Sequence, residues 1–400
     1  MSEIDQRLPR AVVAVSVGRG ISVLGDQVAL YALLFRAKHD IGHIGVALVI
    51  LAGTVPLVVL APWAGQLVDS VRTRPILLGA LLAQFGLCLT LIASRGYFSL
   101  VCIALLAAGT AVLNPAWSAL VPSLVSDEQL PRASGLQQSW STLAQIAGPF
   151  VGGLLVEWSG FSTPLVIDAI SFAALVLVVV FLRLDRVPVQ RVGKRPRGDA
   201  FAGMVVLWKD RFLRALMITL CAFVLAISLI NVVDLFFITD TLGGSPGAFG
   251  LTGALFGIGM LLTSATVSRQ LRLEQSHERW TIIGCALLSI GVAIEGFSSS
   301  ITQAMVGFFI AGLGNGLANV HVGVLMIRQV AEELRGRALA AVGALISAAS
   351  VVGMIAGGLA ATTFDPRVVL LAGGLGSGLL LGVTARPVLR HRQDGTAETP

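Results

Sequence analysis

Charge is scarce in this sequence of 400 residues: Lys, Arg, Asp and Glu together make up 12%, about half the share that soluble domains carry. With 55% hydrophobic residues and a mean hydropathy of +0.86, a water-soluble enzyme, a nucleic-acid binder and a disordered chain are all excluded. Cysteine is rare as well. Cys88, Cys102, Cys221 and Cys285 all fall inside apolar runs with no paired spacing, so they read as small hydrophobes rather than a disulfide framework or a metal site. Motifs of enzyme chemistry are missing too: there is no H-E-x-x-H, no Cys/His cluster and no phosphate-binding G-x-x-x-x-G-K-S/T. Those absences speak against a metalloenzyme and against an ATP-driven pump within this chain. Lysine contributes only 3 of the 28 basic residues, a bias that suggests a GC-rich bacterial genome.

What the chain has in abundance is apolar stretches of the length that crosses a hydrocarbon core of about 30 Å as helix. Read between polar and Pro/Gly punctuation, the runs 11–35, 41–68, 75–95, 98–124, 132–157, 163–182, 212–239, 246–271, 280–298, 301–327, 337–363 and 367–386 predict twelve spans. The expected fold class is therefore an all-α membrane protein. An even number of spans places both termini on one side. With the termini inside, 23 of the 28 basic residues lie in cytoplasmic segments, Arg36, Lys38, Arg95 and Arg367 lie outside, and Arg19 lies within the first span. This asymmetry is the positive-inside signature, so the net charge of +6 reads as topology and not as affinity for nucleic acid. The first ten residues lead into an apolar run without a small-residue cleavage pattern, which reads as a retained first span.

The longest polar interval, 183–211, carries Arg183, Arg186, Arg191, Lys194, Arg195, Arg197, Lys209 and Arg211. It reads as a basic cytoplasmic linker between an N-terminal six-helix bundle, 1–182, and a C-terminal one, 212–386, with 387–400 as a disordered cytoplasmic tail. The two bundles are related. A gapless shift of 205 residues superposes Gly109 on Gly314, Asn114 on Asn319, Leu120 on Leu325, Val125 on Val330, Glu128 on Glu333 and Arg132 on Arg337. The same shift superposes Ala133 on Ala338, Ala144 on Ala349, Gly148 on Gly353, Gly152 on Gly357 and Gly153 on Gly358. Parallel six-helix repeats joined inside the cell are a transporter architecture, with a site near the bilayer midplane between halves that rock.

Three motifs carry a family resemblance. Gly65 to Leu77 reads G-Q-L-V-D-S-V-R-T-R-P-I-L, similar to the G-x-L-a-D-r-x-G-r-k-x-x-l loop of the major facilitator superfamily, with Gly65, Asp69 and Arg74 in register and Arg72 at the inner glycine. A carboxylate at a cytoplasmic helix end beside arginines is suited to a breakable, charge-assisted latch. Gly135, Ala144, Gly148, Pro149, Gly152 and Gly153 fall at the spacings of the antiporter motif G-x8-G-x3-G-P-x2-G-G on helix 5, and only Ala144 departs. Glycines three and four apart permit close backbone approach, and Pro149 removes a helical hydrogen bond. The runs S-V-L-G-D from Ser22 and N-P-A-W-S-A-L-V-P from Asn114 resemble the macrolide- and tetracycline-efflux branch. The helix 4 arginine of many drug antiporters is Leu105 here.

The resemblance implies a monomeric, proton-driven exporter in the bacterial plasma membrane that works by alternating access. It uses no cofactor besides the proton gradient, and its partners are a small-molecule substrate, protons and the lipid bilayer. Ionisable side chains inside a span cost about 2.5–3.5 kcal/mol each on insertion scales and are functional by default. Here they are Arg19, Asp26, Asp168, Asp234 and His321. Asp26, some 22 Å along the first helix by its rise per residue, is the leading proton carrier, and a permanent structural pairing with Arg19 is the alternative. Gln84, Asn114, Gln145, Asn231, Asn315 and Asn319 either line a cavity or join helices. Three acids against one arginine predict neutral or cationic amphipathic cargo. Rival readings are a metabolite or siderophore exporter or importer on the same fold and, further off, a membrane-embedded enzyme or a non-transporting receptor.

Overall fold

The computed structural model describes residues 8–186, 205, 208–209, 211–270, 277–329 and 332–395. Twelve helices of twenty residues or more are found among them: α1 (Arg10–Asp40), α2 (His43–Ser70), α3 (Thr73–Ala93), α4 (Tyr97–Leu120), α5 (Leu130–Ser159), α6 (Ser162–Phe181), α7 (Arg211–Phe236), α8 (Pro246–Gln270), α9 (His277–Phe297), α10 (Ile301–Gln329), α11 (Glu332–Thr363) and α12 (Pro366–Gly395). No strand occurs among the described residues. Gly243, Gly244, Ser245, Pro246 and Gly247 follow the G-x-S-x-G spacing, yet they form the turn into α8 and not the strand-to-helix elbow that exposes a nucleophile. Arg191, Lys194, Arg195 and Arg197 of the expected linker, and Val330 of the repeat, lie outside the described residues.

Eleven of the twelve helices are long and apolar enough to cross a bilayer, and α5 is the exception. The reason is its composition: Arg132, Gln137, Gln138, Ser139, Ser141 and Gln145 crowd its first half. Many large apolar side chains, Phe181 and Leu379 among them, are exposed on helix faces, which suits lipid rather than water. One boundary differs from expectation. Helix α12 continues through Gly395, into the segment read from the sequence as a disordered tail. Hydropathy marks where the membrane ends, whereas helix geometry persists through the Arg-rich stretch beyond it, because arginine is a good helix former.

Two compact units emerge, Met1–Val192 with Pro246–Ala254, and Gly193–Ser245 with Leu255–Pro400. In the first, α1 packs on α5 and α6, α3 on α4 and α6, and α2 on α4. In the second, α7 packs on α11 and α12, and α9 on α10 and α12. Four of the five pairings repeat with an offset of six helices, which gives the 205-residue sequence repeat its physical content. Gly148 and Gly152 of α5 abut Gln27 and Val28 of α1, and their counterparts Gly353 and Gly357 of α11 abut the carbonyls of Leu225 and Leu229 of α7. Gly109 sits against Gln84 of α3, and Gly314 against the backbone of α9. At the ends of α1, α3, α5 and α7, tight turns use Gly42, Gly96, Gly160 and Gly243 at positive φ, a region that glycine enters without strain.

Candidate functional site

Helix α1 carries Arg19 and Asp26. Its closest neighbour is α5, and the approach is set by missing side chains. A Cβ on Gly148 would stand 2.3 Å from Gln27 Cβ, and one on Gly152 would stand 3.0 Å from Tyr31 Cβ and 3.1 Å from the Val28 carbonyl. On the α1 side, Gly20 admits Trp140, whose Cβ would lie 2.7 Å from an added Cβ. The remaining motif positions divide. Gly153 and the Pro149 carbonyl meet Pro246 and Gly250 at the start of α8, within the same compact unit. Ala144 is buried. Gly135 has nothing within 4 Å of an added Cβ, so this position does not take part in the close packing that the motif as a whole suggested.

Toward the N-terminal half of α5, α1, α4 and α5 line a partly open cavity of about 290 Å³, whose walls include Ser16 and Arg19 of α1, Ser118 of α4, and Ser134, Gln137 and Ser141 of α5. That is near the lower bound of small-molecule pockets, about 300–1,000 Å³. The polar half of α5 that keeps it from resembling a membrane span is the wall of this cavity. An adjoining pocket of about 30 Å³ shares Arg19 and Val23 and adds Ser22, Asp26, Gln84, Thr110 and Asn114, with Leu113, Trp117, Phe172 and Leu175 as its apolar side. Arg19 and Asp26, two turns apart on one helix, thus line the same small pocket, and Arg19 lines the larger cavity as well. The Arg19 guanidinium lies 5.8 Å from the Trp117 ring centroid, a cation–π arrangement worth about 0.5–2 kcal/mol. That recovers only part of the cost of placing an arginine in a membrane. No described carboxylate lies within ion-pair distance of it.

The acids are not distributed as their count suggested. Asp168 of α6 is 2% exposed, accepts a hydrogen bond from Cys88 Sγ at 3.3 Å, and sits in the space left by Gly25, where a Cβ would lie 2.7 Å from its Oδ1. It is packed behind α1 and lines neither cavity wall. Cys88 is accordingly a polar partner and not the plain hydrophobe it looked. Asp234 belongs to the second unit, where its neighbour is Glu295 of α9. Both are buried, and one oxygen of each reaches no described hydrogen-bond partner. Glu295 escaped the sequence reading because it stands near the end of its apolar run, although an acid in G-V-A-I-E-G-F was a visible signal. His321 Nδ1 lies 2.9 Å from His277 Nδ1, and its ring stacks on Trp280 at 6.2 Å, a packed arrangement between α9 and α10 rather than a group facing a described cavity.

The polar candidates sort in the same way. Gln84 donates to the Leu106 carbonyl at 3.1 Å and to Thr110 Oγ1 at 2.9 Å, and so joins α3 to α4 while bordering the pocket. Asn114 is exposed to that pocket. Gln145 donates to Ser141 Oγ at 3.1 Å, and Asn319 donates to Asn315 Oδ1 at 2.7 Å. Asn231 is exposed on α7.

The loop between α2 and α3 departs from the expected latch. Among the described residues, neither Asp69 nor Gly65 makes any of its ties. Arg72 Nη1 stands 3.8 Å from Asp185 Oδ2, the Arg74 amide donates to Asp185 Oδ1 at 3.2 Å, and the Thr73 amide donates to the Arg186 carbonyl at 3.2 Å. The carboxylate that holds the arginine loop is thus Asp185, just past α6, which is 111 residues away along the chain and carries no local sequence signal.

Comparison with known proteins places this geometry among transporters. A family model described as Major Facilitator Superfamily matches residues 15–264 and 226–400. Macrolide efflux protein A of Streptococcus pyogenes is 25% identical over 354 residues, covering 84% of this chain and 86% of that protein. Lysophospholipid transporter LplT of Photorhabdus laumondii is 24% identical over 396 residues, covering 96% of each chain. Among solved structures, a POT family transporter in complex with a thioalcohol-conjugated peptide superposes with a TM-score of 0.76 at 11% identity over 96% of each chain. A bacterial homologue of the iron transporter ferroportin superposes with a TM-score of 0.71 at 15% identity, over 95% of this chain and all of that one. At such identities these two establish the fold alone.

Proposed function

The chain belongs to the major facilitator superfamily, and from that premise we propose that it is a proton-coupled exporter of amphipathic small molecules working by alternating access. It is a multi-pass membrane transporter and not an enzyme. Coupling and cargo are the step beyond. The observation that carries the proposal is that Asp26 lines a pocket whose wall includes Arg19 and Val23, residues that also line the polar cavity of the first unit. A titratable acid there exchanges a proton with the same space that cargo enters, and binding either one changes the field felt by the other. Efflux as the direction draws on the relationship to macrolide efflux protein A and on the close-packed glycine face of α5 against α1. The sign of charge on the cargo follows from which groups face the cavity, not from the total of acids in the membrane. Of the two described pockets, Asp168 and Asp234 line neither, while Arg19 lines both.

The test is uphill transport in proteoliposomes. A panel of anionic, neutral and cationic ring-bearing fluorophores is offered under an imposed pH gradient, with the parent protein and Asp26→Asn side by side. The expected outcome is gradient-driven accumulation of at least one fluorophore by the parent, lost in Asp26→Asn while downhill exchange persists. Accumulation by Asp26→Asn at the parent's rate removes this carboxylate from coupling, and a parent protein indifferent to the gradient removes proton coupling altogether.

A further inference from the structure

We infer that the cavity around Arg19 is an anion subsite, which receives the phosphate, sulfonate or carboxylate group of an amphipathic cargo while the apolar part of that cargo lies toward Val23 and Trp117. The inference deepens the reading of the first unit as the cargo site and rests on it. Arg19 points five N–H donors into low-dielectric space, stacked on Trp117 and with no described carboxylate in ion-pair range. Two further lining residues carry buried polar atoms that reach no described hydrogen-bond partner, Ser16 Oγ and Gln137 Nε2. Ser16 is itself only 1% exposed. Donors left idle inside a membrane protein are costly, and a hydroxyl, an amide and a guanidinium on residues that line one cavity call for an acceptor. An oxyanion supplies several acceptor lone pairs together with the neutralising charge, and guanidinium recognition of such groups is bidentate and strong.

The remaining lining agrees. Ser118 and Ser134 add hydroxyls, which donate as readily as they accept, and no acid lines the larger cavity. The acid of the adjoining pocket is Asp26.

Equilibrium dialysis against nanodisc-embedded protein tests the subsite without requiring transport. The probes are 1-naphthyl phosphate, neutral 1-naphthol, the cation 1-naphthylmethylammonium and inorganic phosphate, each corrected by protein-free nanodiscs. The parent is expected to bind 1-naphthyl phosphate at least about tenfold more tightly than the other three, the ratio that loss of a charge-assisted hydrogen bond produces. Arg19→Gln should erase the preference, Arg19→Lys should keep part of it, and Gln137→Leu should weaken the phosphate probe by a smaller factor without changing 1-naphthol. An unchanged preference in a folded Arg19→Gln protein, or tighter binding of the cation by the parent, overturns the subsite. Equal binding of inorganic phosphate and the naphthyl ester overturns the amphipathic cargo and leaves a bare anion site. Failure of proton coupling shows in the proteoliposomes and not in dialysis, so the two readings fail separately.

Discussion

Replacing Gly148 by alanine adds one methyl group at the tightest point between α1 and α5. The new Cβ would stand 2.3 Å from Gln27 Cβ, whereas carbon atoms pack at about 3.5–4.0 Å. Relief requires the helices to part by more than an ångström, because the atom met is the root of the Gln27 side chain and not its flexible end. Overpacking of this kind costs about 1–3 kcal/mol, set against a helix-propensity gain of about 1 kcal/mol for alanine over glycine. Gly135→Ala, on the same helix and in the same motif, gains the propensity term and meets nothing within 4 Å. The difference between the two variants therefore isolates the contact. Unfolding of each in nanodiscs, followed by tryptophan fluorescence, should show Gly148→Ala the less stable by about 1–3 kcal/mol, with slower transport in proteoliposomes. If Gly148→Ala is as stable as Gly135→Ala and transports as fast, α1 and α5 do not meet as described and the glycine face serves another neighbour.

The loop after α2 gives a second contrast. Asp185→Ala removes the acceptor of the Arg74 and Arg186 amides and should destabilise by about 1 kcal/mol, while Arg72→Ala, losing an exposed ion pair, should cost less than about 1 kcal/mol, and Asp69→Asn should leave the unfolding profile unchanged; a destabilised Asp69→Asn with an unaffected Asp185→Ala reverses the assignment. Gln84→Leu breaks the α3–α4 hydrogen bonds and should lower stability by about 0.6 kcal/mol, the average for interhelical bonds in a membrane, whereas a gain in stability would show those bonds to be idle. Cysteines placed at Arg195 and Thr396 should react with impermeant reagents only from the cytoplasmic side, and labelling of either from outside refutes the topology drawn from the basic residues.

By itself the sequence determined that the chain lives in a bilayer, which family it resembles and that its halves repeat. Each of these is written in local composition: runs of apolar residues as long as a membrane is thick, and glycines at spacings that one helix face can show. Hydropathy also marked α5 indirectly, since the polar residues that weaken it as a span are those that wall the cavity. Tertiary structure decided everything that depends on which helix faces which. Asp26, Asp168 and Asp234 are equivalent in sequence terms, each an acid in an apolar run. Only the packing puts the first on a cavity, the second behind Gly25 with Cys88, and the third beside Glu295 in the other unit. Asp185 replaced Asp69 as the partner of the arginine loop because the end of α6 lies against the start of α3. Periodicity gives a residue its face on a helix, but the charge of a cavity is a sum over walls contributed by α1, α4 and α5, and no local pattern along the chain contains that sum.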